Sequence, residues 1–343
     1  MGPLNVAIAW PMSETLVQRV ASVSPRLHVE NIADRVRREI QLIRSDPQGS
    51  ERKQVTAELD RIFKDTEVLL SAFRLPDRVP DRAPNLKWIQ VAGAGLDRLI
   101  VDARGKENII VTNARGAAAT PIAEWVLGVM IMFAKRMPEC YEARAKRHFA
   151  FNELPTSNIA GKTVGILGLG AIGNEVARLS KLMGTNVLAT RRSSTKRETS
   201  AGPVDELLPP SQMLDIFQRS DFVVATLPLT PETTHIVAEK ELRAMKPTAY
   251  LLNVGRGALI DEAVLVKALK EHWIAGAGLD VFEKEPLPPE SELWTLPNVI
   301  MTPHNSGQTD DYVERVLRIF NESLKRYLAG QPPLNIVDKS RGY

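Results

Sequence analysis

Apolar residues fall along the chain in short runs, and those at 5–10, 68–73, 88–91 and 109–111 have the length of buried strands. The polar, helix-compatible segments between them predict a small parallel α/β domain. The segment 26–62 is its most charged part, yet Val36, Ile40 and Ile43 recur at helical spacing and the DPQG at 46–49 supplies a turn. A solvated helical hairpin is expected there. Thr120 and Pro121 have the character of an N-cap and first-turn pair for an apolar helix over 122–133, in which Trp125, Met130 and Met132 read as packing residues. That helix carries the chain into a second domain.

Further runs at 164–167, 186–190, 222–227, 250–254, 275–281 and 299–302, most of them preceded by a helical pattern, predict a doubly wound parallel sheet. A final amphipathic helix spans 312–328, and the PPLN tail behind it is expected to return to the first domain. In the first unit of the second domain, Gly168, Gly170 and Gly173 take the G-x-G-x-x-G spacing between a strand and a helix. Such glycines permit a tight turn, a close approach of pyrophosphate to bare backbone, and helix-on-strand packing, with the phosphates on the helix N-terminal amides. A dinucleotide site is predicted.

Composition narrows the partners. The chain has 343 residues, 44% of them hydrophobic and 25% charged, which is the balance of a globular protein. Its 44 basic and 41 acidic residues, net charge +3, are too balanced and dispersed to call for nucleic acid or a membrane surface. Cys140 is the single cysteine and reads as an ordinary thiol, so a reducing compartment is expected. The start lacks a secretory pattern and no stretch reaches about 18 uninterrupted apolar residues, so a cytoplasmic protein is expected. No cluster of His, Cys and acids has metal-ligand spacing.

In open parallel sheets ligands sit at the carboxyl ends of the strands, where Leu227 and Pro228, Gly255 and Arg256, Asp280 and His304 all fall. About 20 residues beyond the glycines, where an acid for the adenine ribose is expected, stand Thr190, Arg191, Arg192 and Ser193, with Lys196 and Arg197 behind them. Arginine forks suit a 2′-phosphate, which favours NADP(H) over NAD(H); the other reading of the run is a surface loop. The two glycines in VAGAG at 91–95 can offer backbone N–H groups to a substrate carboxylate, or make a tight connection and no more. Of five histidines only His304 stands at a strand end beside small residues; His28, His148, His235 and His272 read as surface residues.

Arg256 lies between Gly255 and Gly257, which would let the backbone turn sharply and aim its fork at a carboxylate; otherwise it is an arginine in an exposed turn. Glu285, were it beside His304, would hold the ring by one nitrogen and favour its protonated form. The three together meet the needs of hydride transfer to a 2-oxo acid. Arg256 binds the carboxylate and polarises the carbonyl, His304 is the acid, and Glu285 sets the ring.

These motifs resemble the D-isomer-specific 2-hydroxyacid dehydrogenase family over nearly the whole chain: VAGAGLD (91–97), AEW (123–125), GLGAIG (168–173), LPLTPET (227–233), NVGRG (253–257), GLDVFEKEP (278–286) and TPH (302–304). By that similarity Arg256, Glu285 and His304 match the catalytic triad, Asp280 the residue near the nicotinamide, and Ala94 and Gly95 the substrate loop. Gly168, Gly170, Ala171, Ile172, Gly173, Leu227, Pro228, Thr233, Val254 and Gly255 fall in its cofactor motifs. The resemblance implies a Rossmann cofactor domain, 114–305, inserted into a flavodoxin-like catalytic domain of residues 1–113 and 306–343. It also implies a cleft that closes on substrate and a homodimer built around the inserted domain, with an exchanged arm after Phe133.

Arg191 occupies the place where NAD-using members carry Asp, as in the glyoxylate and hydroxypyruvate reductases. The expected function is an NADP(H)-dependent reductase of glyoxylate, hydroxypyruvate or a similar small 2-oxo acid. The alternatives are an NAD-dependent dehydrogenase of a bulkier acid and a nicotinamide-sensing protein like the related corepressors, which keep the same three residues.

Overall fold

In the computed structural model, which describes residues 2–72, 75–95 and 108–339, the chain divides into residues 1–117 with 310–343 and residues 118–309. The first unit holds β1 (Leu4–Ala9), β2 (Leu27–Asn31), β3 (Val68–Ser71), β4 (Trp88–Val91) and β5 (Ile110–Thr112) in the order β2-β1-β3-β4-β5, parallel throughout. Successive residues of a strand face opposite sides, and both sides are covered. Ala7, Leu69, Ile89 and Val111 pack with Val36, Leu59 and Phe63, whereas Val6, Ile8, Leu70 and Trp88 pack with Val17, Val20, Val316 and Phe320. Phe73, at the end of the third expected strand run, lies outside the described residues, as do Leu96 and Asp97.

The expectation for 26–62 is corrected in two respects. Residues 27–31 form β2, because at the sheet edge a strand needs only the alternation Leu27, Val29 and no continuous apolar run. The helices Ala33–Ser45 and Ser50–Asp65 that follow form the hairpin, but it is not merely solvated. A helix buries one stripe however charged its other faces are, here Val36, Leu42, Leu59 and Phe63. Even Glu39, 1% exposed, is in that stripe, with Arg82 Nη2 3.0 Å from its Oε1.

The second unit holds β6 (Thr163–Leu167), β7 (Asn186–Thr190), β8 (Glu198–Ala201), β9 (Val204–Leu208), β10 (Phe222–Ala225), β11 (Tyr250–Asn253), β12 (Gly276–Leu279) and β13 (Val299–Met301). They form one sheet in the order β13-β12-β11-β10-β6-β7-β9-β8, parallel except for the edge hairpin β8–β9. That hairpin has no counterpart among the expected runs; Glu198 to Ala201 is exposed or half-buried, so no apolar pattern marks it. Leu167, Val223, Ala225 and Leu251 lie on one face of the sheet, and Val164, Ile166, Val224 and Leu252 on the other. The helix Ala119–Ala134 covers the second face through Val126, Val129, Met130 and Phe133. It starts after Ala118, so Thr120 is not its N-cap but lies inside the first turn, donating to Glu175 Oε1 at 3.0 Å.

The helix Tyr312–Leu328 belongs to the first unit, and the tail behind it returns to β5, where Val337 N donates to Val111 O at 2.9 Å. Among the described residues no helix is long and apolar enough to cross a membrane and no group of His, Cys, Asp and Glu could hold a metal ion.

Candidate active site

The glycine loop leaves β6 through Gly168, whose φ of +98° is open to glycine at little cost. Thr190, at the end of β7, accepts from Gly168 N through its Oγ1 at 3.3 Å and from Leu169 N through its carbonyl at 2.9 Å. Gly173 is needed for packing, since a Cβ there would lie 2.2 Å from Gly168 O. Gly170 is different: its φ is −88° and a Cβ would meet nothing within 4 Å. Nothing in the chain itself therefore requires glycine at 170. It is the N-cap of the helix Ala171–Leu182 and has no capping side chain, so open backbone meets the positive end of a twelve-residue helix. This cradle fits a pyrophosphate. Ala171 and Ile172, half-buried, are its first helical residues.

Arg191, Arg192 and Ser193 are exposed in the turn that follows β7, closed by Ser194 N donating to Arg191 O at 3.0 Å. Not all the cations of the run are available there. Arg197 is engaged with Asp215, and its Nε donates to Gln212 Oε1 at 3.2 Å. Leu227, Pro228 and Thr233 share one loop, closed by Thr233 Oγ1 donating to Pro228 O at 2.7 Å. In the same loop a hydrogen bond from Thr230, with a smaller contribution from the Arg192 charge, holds the Glu232 carboxyl below its ordinary value. The residues that follow β7, Arg191 to Ser193, include no acidic side chain.

Glu285 and His304, nineteen residues apart, are brought together: His304 Nδ1 lies 2.9 Å from Glu285 Oε2. Glu285 Oε1 accepts from Phe282 N at 3.2 Å, so one carboxylate oxygen is tied to its own loop and the other to the ring. The imidazole is half-exposed, and its Nε2 has no hydrogen-bond partner among the described residues. Its backbone has φ +53°, a conformation costly for a side chain with a Cβ. Asp280, 1% exposed, holds the segment on both sides of it. Its carboxylate accepts from Thr302 Oγ1 at 2.6 Å, Asn305 N at 2.9 Å and Ser306 N at 3.2 Å, and also from Ser306 Oγ.

Arg256 has extended backbone, φ −141° and ψ 145°, so the expectation that its glycines make a sharp turn is corrected. The glycines serve close approach. A Cβ on Gly257 would lie 1.8 Å from Phe282 C, and one on Gly255 would lie 2.9 Å from Leu227 O. The arginine backbone is thereby pressed against the loop that carries Glu285. One guanidinium nitrogen donates to Gly255 O at 2.8 Å. Asn253, 1% exposed, clamps the turn by donating to Arg256 O at 2.8 Å and accepting from Gly255 N at 3.1 Å. Val254, buried, precedes it.

Two positions carry more than the sequence reading allots them. An Asn two residues before a glycine is an Asx-turn signal that could have found Asn253. His235 is more than a surface residue: its Nε2 lies 2.5 Å from Glu283 Oε1, and Glu283 N donates to Glu262 Oε2 at 3.1 Å, which braces the loop of Glu285 from outside. Burial, and then the Glu283 charge, push the Glu262 carboxyl up. Ala94 and Gly95 belong to the first unit, where both are exposed after β4.

A parallel sheet with a glycine-rich strand-to-helix loop and a His–carboxylate pair on its strand-end loops defines a nicotinamide-dinucleotide oxidoreductase. Residues 127–306 match the family described as D-isomer specific 2-hydroxyacid dehydrogenase, NAD binding domain. The chain is 35% identical over 285 residues to a glyoxylate reductase of Korarchaeum cryptofilum, covering 80% of this chain and 84% of that one. It is 34% identical over 283 residues to a D-3-phosphoglycerate dehydrogenase of Methanocaldococcus jannaschii, covering 82% of this chain but only 53% of that protein. Among solved structures, an NADPH-dependent glyoxylate/hydroxypyruvate reductase of Sinorhizobium meliloti, in complex with NADP and sulfate, superposes with TM-score 0.76 at 25% identity, covering 100% of both chains. The chain belongs to the D-isomer specific 2-hydroxyacid dehydrogenase family, oxidoreductases that act on the CH–OH group of 2-hydroxy acids.

Proposed function

We propose that this protein is an NADP(H)-dependent 2-oxoacid reductase acting on glyoxylate, hydroxypyruvate or a similar small 2-oxo acid. The observation that carries the reading is the 2.9 Å pair of His304 and Glu285 on strand-end loops of a dinucleotide-binding sheet. Residues 118–309 serve as the cofactor domain and the two chain ends as the substrate domain. Gly168, Gly170, Ala171, Ile172 and Gly173 hold the pyrophosphate, and Leu227, Pro228, Thr233, Val254, Gly255 and Asp280 line the rest of the cofactor.

When bound, the dihydronicotinamide supplies a hydride to C2 of the oxo acid. Arg256 is the planar fork that binds the substrate carboxylate and polarises the carbonyl, and Ala94 and Gly95 are the substrate loop of the first unit, with backbone amides suited to a carboxylate. Glu285 accepts the Nδ1 proton of His304 in a hydrogen bond, so Nε2 is the nitrogen that gives a proton to the carbonyl oxygen. The oxygen becomes a hydroxyl as C2 is reduced. In the oxidation direction the same Nε2 removes the hydroxyl proton.

The NADP(H) preference is supported by Arg191, Arg192 and Ser193 at the ribose position, where a carboxylate would repel a 2′-phosphate. The NADP in the S. meliloti relative agrees with it. A homodimer is supported by the segment after the helix Met137–Ala145, which leaves Phe149 87% and Phe151 72% exposed with their rings stacked. A cytoplasmic setting is supported by the single cysteine, which is exposed and free.

The test is the initial rate of coenzyme oxidation by purified protein, with NADPH or NADH, against glyoxylate, hydroxypyruvate, pyruvate and bulkier aromatic or branched oxo acids. NADPH is expected to give the higher kcat/KM, and one of the small acids the highest. A clear NADH preference removes the cofactor reading. Tight NADPH binding with no acid consumed favours a nicotinamide sensor instead.

A further inference from the structure

After β4 the chain spends three successive carbonyls on its own donors. Tyr312 Oη donates to Ala92 O at 2.7 Å, Ala114 N to Gly93 O at 3.1 Å, and Asn113 Nδ2 to Ala94 O at 2.9 Å. Ala92 N bonds to Ser71 O at 2.9 Å, whereas the next three amides, of Gly93, Ala94 and Gly95, have no acceptor among the described residues. In a planar trans peptide the C=O of one residue and the N–H of the next point in opposite directions. Each captured carbonyl therefore sets the direction of one amide. Tyr312 sets that of Gly93, Ala114 that of Ala94, and Asn113 that of Gly95. Successive backbone amides left without acceptors of the chain's own can make an anion-binding concavity.

We infer that Tyr312 and Asn113 are positioning residues for the substrate carboxylate, fixing the amides of Gly93 to Gly95 before the oxo acid arrives. The inference rests on reading Ala94 and Gly95 as the substrate loop, and goes beyond it by naming what shapes the loop. Both side chains are themselves held. Tyr312 is the first residue of the helix Tyr312–Leu328, anchored by Val316, Leu317 and Phe320, and its ring meets Trp10 edge-on at 6.3 Å. Burial pushes its hydroxyl up to about 12, so it remains a donor at ordinary working pH. Asn113 accepts from Arg115 N through Oδ1 at 3.1 Å, which turns Nδ2 toward Ala94, and its carbonyl accepts from Asn335 Nδ2 at 3.3 Å. An arranged loop saves the ordering cost that a flexible one incurs on binding.

The test compares the wild-type protein with Tyr312→Phe, which keeps the ring and removes the donor, and with Asn113→Ala. Oxamate, an unreactive isostere carrying the same carboxylate, is the probe, used as an inhibitor and in calorimetry with NADPH present. One lost hydrogen bond of this kind predicts about a three- to tenfold rise in KM for the oxo acid and in the inhibition constant, in parallel. The kcat, the KM for NADPH and the Tm of Tyr312→Phe are expected to stay near wild type. Unchanged oxamate binding in both variants overturns the inference, as does a loss in which kcat, coenzyme KM and Tm move together with it. Should the wild-type protein reduce no oxo acid yet bind oxamate more tightly than the variants do, the functional reading fails and the loop inference stands. Absence of oxamate binding by the wild-type protein overturns both.

Discussion

Replacing His304 by Ala is expected to lower kcat for oxo-acid reduction by about two to four powers of ten, while the dissociation constant of NADPH stays close to wild type. The magnitude is that of general acid catalysis, and the ring's setting supports this role. Its Nδ1 is 2.9 Å from Glu285 Oε2, so removing the ring removes both the proposed proton donor and the group that the carboxylate orients. The backbone there is held by Asp280 through bonds to Asn305 N and Ser306 N and to the hydroxyls of Thr302 and Ser306, none of which involves the imidazole. The loop should therefore survive the substitution, and its left-handed φ of +53° is no easier for Ala than for His. Stopped-flow single-turnover rates with NADPH bound separate the chemical step from product release. A variant whose single-turnover rate stays within a few-fold of wild type takes the acid role away from His304.

Arg256→Ala is expected to cost about two to four powers of ten in kcat/KM for the oxo acid, because the proposed role of Arg256 gives the substrate two charge-assisted hydrogen bonds of about 1.5–3 kcal/mol each. Arg256→Lys should recover only part of it, since a single ammonium cannot reproduce the planar fork. On the proposed role the loss belongs to substrate recognition and carbonyl polarisation, so NADPH binding is expected to change little. The turn itself is held by Asn253 through the Arg256 carbonyl and the Gly255 amide, and by the contact of Gly257 with Phe282; neither depends on the arginine side chain. A kcat/KM near wild type for either variant, measured with the best oxo acid, ends the assignment.

How far these groups are legible in the sequence depends on what kind of interaction places them. The glycine loop and its flanking elements are local, and a strand turning through Gly168 and Gly170 into the helix Ala171–Leu182 is written in consecutive residues. The long apolar runs of the second sheet are equally plain, because a strand buried on both faces must be apolar throughout. Edge strands are less visible: β2 and β8 need little apolar residue content, and their stretches read as charged or polar. The sequence poses Glu285 beside His304 only as a condition, which the resemblance supports, since nothing local in 285 or 304 says that a 2.9 Å contact joins them.

Least visible are the supports. Asp280 is noticed as a strand-end acid, but that its carboxylate holds the residues around His304 depends on four donors more than twenty positions away. The glycines beside Arg256 are noticed for freedom of turn, whereas the fold uses them for lack of bulk, which only the position of Phe282 reveals. Tyr312 is read as the start of an amphipathic helix; its hydroxyl meets Ala92, 220 residues earlier in the chain.

The most direct test of the account follows the label of NADPH deuterated at C4. Purified protein is incubated with each stereoisomer of the labelled coenzyme and glyoxylate, hydroxypyruvate or pyruvate, and the product is read by mass spectrometry and chiral chromatography. The account predicts a D-2-hydroxy acid, or glycolate from glyoxylate, carrying one deuterium at C2 from one of the two stereoisomers, and none with His304→Ala on the same time scale. Product without deuterium, or no hydroxy acid from any oxo acid while NADPH stays bound, contradicts it.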